Sequence, residues 1–240
     1  MQRLENWELK EKAKAAFHNQ AVTFVLGFVI LFALSMLGQI PGRLASMANI
    51  WDHQQMAFSG GVGLQSAFFI VFTQMFLAFL PLIIAILLYP ATAAYAGMSL
   101  QALAGRKVEV MDVFSRFREM SRWIAYYFFY VGRVMLWSML FVIPGIMAAL
   151  SYSQAKYLML KDPKISPWDA IEESTRLMRG NRTDLFVLGL SFILWWLLVL
   201  VTFGLAILYV SPYVELTMAA FHRNLVGDDV EQGEASVDFA

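Results

Sequence analysis

The sequence predicts an all-α fold, a polytopic membrane helical bundle. Three observations carry that prediction. The chain of 240 residues is 59% apolar and only 15% charged, where a soluble domain runs nearer half apolar and a quarter charged. Its mean hydropathy is +0.59, and several apolar stretches approach or exceed the roughly 18 residues that mark a membrane helix. Lysine and arginine collect between those stretches in a one-sided pattern.

The opening segment MQRLENWELKEKAKAAFHNQ mixes acids and bases. The apolar run after it, AVTFVLGFVILFALSMLGQI, is about 20 residues, longer than a signal-peptide core. It reads as a retained first helix. Five further spans follow, giving six: 21–40, 68–90 (continuing as a helix to about 103), 123–142, 145–161, 184–202 and 205–224. Pro144-Gly145 separates the third and fourth spans, and Thr202-Phe203-Gly204 the fifth and sixth. Proline interrupts the backbone ladder and glycine allows the left-handed conformation of a tight reversal, so Pro144, Gly145 and Gly204 are assigned as hairpin turns. One continuous helix over 123–161 would be about 58 Å long, nearly twice the bilayer core.

The basic residues fall in the N-terminal segment, in 104–122 and in 156–183. The outer loop 41–67 has only Arg43. Positive charge marks the cytoplasmic side, so six spans with both termini cytoplasmic place every basic segment inside.

An internal repeat is expected. A shift of 162 lays NQAVTFVLG on NRTDLFVLG, and a shift of 122 lays Pro90 on Pro212. The predicted unit is an amphipathic helix followed by a membrane hairpin, three times over. The amphipathic helices are placed at about 4–18, 109–121 and 166–179. In the last, Ser166 is the N-cap, Pro167 the first helical residue, Asp169 a capping acid and Gly180 the C-cap. Such helices either lie in the headgroup layer with bases toward anionic lipid or cap the bundle from inside. Residues 1–226 form one membrane-embedded domain; 227–240 is an acidic, disordered cytoplasmic tail with five acids and no base.

Arg133 and Glu215 each fall about 15 Å into a span. Ionisable groups at that depth are costly and normally pair, so an Arg133–Glu215 ion pair is predicted. Lys156 lies five residues from Lys161 and is expected to snorkel. Gln154 completes the candidate intramembrane polar cluster of Arg133, Glu215, Lys156 and Gln154, with Gln74 a further member. The cluster is either a helix-pairing device or a polar path for a substrate or proton.

Other chemistry is sparse. Ser153-x-x-Lys156 has the spacing of serine–lysine nucleophile pairs, without an oxyanion hole. Gly60-Gly61-x-Gly63 lacks the strand and lysine of a phosphate loop. No cysteine is present, and His18, His53 and His222 are dispersed. No cofactor, metal site or nucleic-acid surface is expected, and the reading is non-enzymatic.

The segment LWSMLFVIPGIMAALSYSQAKYLMLKDPKISPWDAIEEST, with LYVSPYVELTMAAFHRNL and the opening ELKEKAKAAFHNQAV, resembles the bacterial integral-membrane family called domain of unknown function 975. The most specific parts are IPGI with the following Tyr-Ser, the P-x-I-S-x-x-x-A-I-x-x-S stretch, and the tyrosine–proline region of the last span. The resemblance implies a multi-pass protein of the bacterial cell (plasma) membrane and no mechanism. The fold is also similar to the membrane domain attached to some glycerophosphodiester phosphodiesterases, whose catalytic carboxylates and histidines have no counterpart here. The expected function is a non-enzymatic envelope, interaction or self-protection factor. The alternative is a small transporter or channel using the polar cluster. Membrane lipids are the expected partners, a membrane or cytoplasmic protein partner is left open, and the oligomeric state is unknown.

Overall fold

The computed structural model describes residues 5–59 and 64–227, and every regular element among them is helical. The glycine loop 60–63 and, from residue 228, the acidic tail lie outside the described residues. The chain divides into two compact units, Met1–Val29 with Pro90–Ala240, and Ile30–Tyr89.

In the first unit, α1 (Asn6–Asn19) opens with a capping box in which the Glu5 amide donates to Glu8 Oε2 at 2.7 Å. It buries Leu9, Ala13 and Phe17, spaced four apart. That stripe faces the last helix, α10 (Ile207–Val226). The chain then bends by 90° at Gln20 into α2 (Ala21–Ser59). The Gln20 side chain holds the bend: its Nε2 donates to the Arg106 carbonyl at 2.9 Å and its Oε1 accepts from the Val108 amide at 2.8 Å.

The C-terminal part of α3 (Leu64–Leu103) buries Ala91, Ala93, Ala94, Ala96 and Ser99. Small side chains let helix backbones approach closely. Tyr95 accordingly reaches across to donate to the Phe24 carbonyl at 3.0 Å. The helix expected at 109–121 is a 3₁₀ helix, Val110–Glu119, with Val113 fully buried.

Two hairpins follow. α4 (Met120–Leu140) and α5 (Val142–Tyr152) reverse at Phe141 alone, whose backbone is extended (φ −160°, ψ 156°). The turn is therefore not at Pro144-Gly145. Pro144 lies in the first turn of α5, where a missing N–H costs no intrahelical bond. Gly145 serves close packing: a Cβ there would stand 2.9 Å from Ser138 Cα on α4. After α5 the chain is irregular at Ser153-Gln154 and resumes as α6 (Ala155–Lys161).

α7 (Pro167–Leu177) starts as expected, with Ser166 Oγ accepting from the Asp169 amide at 3.1 Å, and Gly180 follows it in the left-handed region (φ 83°). α8 (Arg182–Leu190) and α9 (Ile193–Val201) are parted by Ser191-Phe192. The turn into α10 carries Phe203 (φ 52°) and Gly204 (φ 91°), a backbone that suits glycine. Trp195 stacks on Tyr209 with centroids 5.8 Å apart.

In the second unit, residues 41–59 and 64–67 are helical, so the outer loop expected over 41–67 is helix apart from the undescribed 60–63. Ala, Met and Gln recur through 44–57, and their helix propensity outweighed the loop reading of 41–67. Phe68, Val71, Phe72, Met75 and Phe76 are exposed.

Two stretches, Phe79–Leu103 and Arg182–Val201, are long and apolar enough to cross a membrane. A third, Asn6–Leu37, qualifies if its bent pair of helices is one span.

Candidate functional site

The polar residues of the spans separate into three places. On α6 and α10, Lys156 Nζ meets Glu215 Oε1 at 2.6 Å, and the Tyr157 hydroxyl donates to the same oxygen at 2.9 Å. The Lys156 and Glu215 side chains are about a quarter exposed. The Lys156 ammonium also lies 4.8 Å from the centroid of the Tyr157 ring. Tyr157 in turn stacks on the fully buried His222, with centroids 5.1 Å apart. Glu215 and His222 are seven residues apart and share one face of α10.

Arg133 is elsewhere. Its guanidinium covers the Trp168 ring, 3.6 Å from the centroid, and reaches Glu172 Oε1 at 3.8 Å. The predicted Arg133–Glu215 pair is therefore not formed. α4 packs against α7, which brings Arg133 to the Trp168 ring near the start of α7 and to Glu172 one turn further on. Lys156, expected to snorkel away, takes Glu215 instead. A cleft of about 520 Å³ adjoins Arg133, lined also by Tyr152, Asp169, Glu172, Arg176 and Arg179.

Gln154 marks the third place, the break between α5 and α6. Its backbone amide donates to Ser174 Oγ at 3.1 Å, and Ser174 Oγ donates to the Ser151 carbonyl at 2.7 Å. Ser174 is fully buried on α7. One hydroxyl of α7 thus serves both backbone groups released by the break, which buried backbone requires. The Gln154 side chain donates to Ser153 Oγ at 2.9 Å rather than joining Glu215. Ser153 itself donates to the Leu150 carbonyl at 2.8 Å. Ser153 and Lys156 are thus directed to different partners, and no serine–lysine pair forms. The Gln74 side chain lies outside what the structure describes.

Four participants escape a search for deep charges: Tyr157, His222, Ser174 and Trp168. The heptad spacing of Glu215 and His222 is the one signal in the sequence that points to any of them.

These features define an all-helical protein in which the charges inside its apolar segments, Arg133 and the Lys156–Glu215 pair, find partners on other helices, and whose longest apolar stretches suit a membrane. The chain belongs to the family described as protein of unknown function (DUF975), whose model matches residues 66–229. No curated protein and no solved structure matches it.

Proposed function

We propose that the chain is a multi-pass protein of the bacterial cell membrane that acts without catalysis, as an envelope, interaction or self-protection factor. The reading has six crossing helices in three repeated units of amphipathic helix plus hairpin, with both termini cytoplasmic. The observation that carries it is the apolar exposure at the hairpin ends. Ile143 is 74% exposed, Leu205 76% and Phe203 99%. Continuous apolar surface of that kind marks a membrane or partner contact. Helices at Asn6–Asn19, Val110–Glu119 and Pro167–Leu177, each with at least one buried apolar residue and each ahead of an apolar segment, support the repeat.

Within this reading the Lys156–Glu215 pair holds helices together, because each charge is satisfied by the other and by Tyr157. The interaction surface is then the charged face of α7 around Arg133, Arg176 and Glu172. No particular observation favours a transport path.

The test uses the absence of cysteine from the chain. Single variants Lys107→Cys, Lys164→Cys and Phe203→Cys are treated in intact cells with a membrane-impermeant maleimide. Phe203→Cys is labelled from outside; Lys107→Cys and Lys164→Cys react only after permeabilisation. Labelling of either lysine position in intact cells overturns the topology.

A further inference from the structure

We propose that the groove between α5 and α8 binds one acyl chain of an anionic glycerophospholipid, with the lipid phosphate held by Arg182. The proposal rests on the membrane reading above.

The groove measures about 300 Å³, at the small end of ligand sites and suited to part of a chain rather than a whole lipid. Its walls are Ile146, Met147 and Leu150 of α5 and Phe186 of α8, with Arg182 and Thr183 as its polar members. Ile146, Met147 and Phe186 are all more than 40% exposed, so the groove is open along its side. Arg182 and Thr183 are the first two residues of α8, and Phe186 follows one turn later. The polar groups therefore occupy one end and the apolar wall continues from them. From Ile143 to Leu150 that wall runs roughly 10 Å at helical rise.

The polar end is short of acceptors. Arg182 Nε is enclosed by protein and meets no acceptor among the described residues, an arrangement that is costly for a buried guanidinium donor. Asn181, at the N-cap of α8, makes no side-chain cap bond; its side-chain Nδ2 donates back to the Leu177 carbonyl at 2.8 Å. The first-turn amides of α8 are thus not capped by Asn181. The enclosed Nε is out of a ligand's reach, but Arg182 as a whole is half-buried and lines the groove, so a phosphate oxygen there pairs with the guanidinium charge and is favoured by the helix end.

The charge pattern selects the headgroup. No carboxylate lines the groove; Asp184, the nearest acid in the chain, lines a separate cleft with Asn181 and Asn224. A zwitterionic headgroup would find nothing for its cation. A lipid of net negative charge matches the single arginine.

The full chain, delipidated in mild detergent, is titrated with dioleoyl phosphatidylglycerol and monitored by native mass spectrometry. One lipid binds tightly. Arg182→Gln weakens that binding about tenfold or more. Met147→Trp, which fills the groove and leaves the arginine, weakens it as much; Ile146→Trp replaces it if that variant does not fold. Arg179→Gln, on the other cleft, binds like the parent. Unchanged binding by either the arginine or the groove-filling variant overturns the proposal, since the site needs both parts. So does equal binding of phosphatidylcholine, or displacement of the lipid by inorganic phosphate, which would indicate a simple ion site. Failure here with the predicted maleimide pattern rejects the groove alone; the reverse pattern rejects the membrane topology.

Discussion

Removing the Lys156–Glu215 pair one partner at a time tests the assignment of these charges as a helix-pairing device. The two groups are 2.6 Å apart and about a quarter exposed. At an effective dielectric near 20, two unit charges at 4 Å attract by about 4 kcal/mol, and desolvation cancels part of that. Stranding one member of a buried pair costs about 3–5 kcal/mol; the residual exposure and the Tyr157 hydroxyl reduce this. Lys156→Met should therefore destabilise by about 2 kcal/mol, because Glu215 keeps its bond from Tyr157. Glu215→Gln should cost about 3 kcal/mol, because it strips the ammonium of its counter-charge. The double variant should lose about 3 kcal/mol, well short of the sum, for a coupling of about 2 kcal/mol. Chemical unfolding of the purified protein in detergent, followed by circular dichroism, measures all four corners of the cycle. A coupling below about 0.5 kcal/mol refutes the reasoning. So does an equally large coupling between Arg133→Ala and Glu215→Gln, because Arg133 sits on Trp168 and Glu172 instead.

Two other substitutions probe how α7 and the first hairpin are held. Ser174→Ala removes a hydroxyl that serves both the Gln154 amide and the Ser151 carbonyl. A loss of about 2–3 kcal/mol is expected in the same unfolding assay. The neighbouring Thr175→Ala, whose hydroxyl bonds only its own helix at Ile171, should change stability by less than about 0.5 kcal/mol; equal effects would contradict the assignment. Gly145→Ala places a methyl group against Ser138 and should cost about 1–3 kcal/mol by overpacking. The added change Ser138→Gly should not restore stability, because Ser138 Cα itself stands 2.9 Å away and glycine weakens α4; no change in stability in the single variant would remove Gly145 from its packing role.

The sequence by itself determined the local and compositional features. Apolar runs bounded by basic segments predicted helices, and Ser166-Pro-x-Asp169 predicted where α7 begins, because capping is a contact within four residues. Gly204 was legible as a turn for the same reason: its positive φ is a backbone demand that only neighbouring residues set. Charged residues inside apolar runs were legible as groups that need partners.

Which partner each takes was decided by the tertiary structure alone. Arg133 and Glu215 have opposite charge and similar depth, which is all a sequence offers; the pairing depends on how α4 rotates against α7 and where α6 meets α10. Those choices follow from packing Trp123, Tyr126, Tyr157 and Ile171 out of contact with solvent, a sum over residues far apart in the chain. The reversal at Phe141 rather than at Pro144-Gly145 has a similar origin. A proline and a glycine next to each other suit a turn, but they also suit the first turn of a helix pressed tightly against its neighbour. The approach of α5 to Ser138 of α4, a feature of the folded hairpin, selects between the two. The break at Ser153-Gln154 persists because Ser174, twenty residues onward, supplies the hydrogen bonds that the helix there gives up.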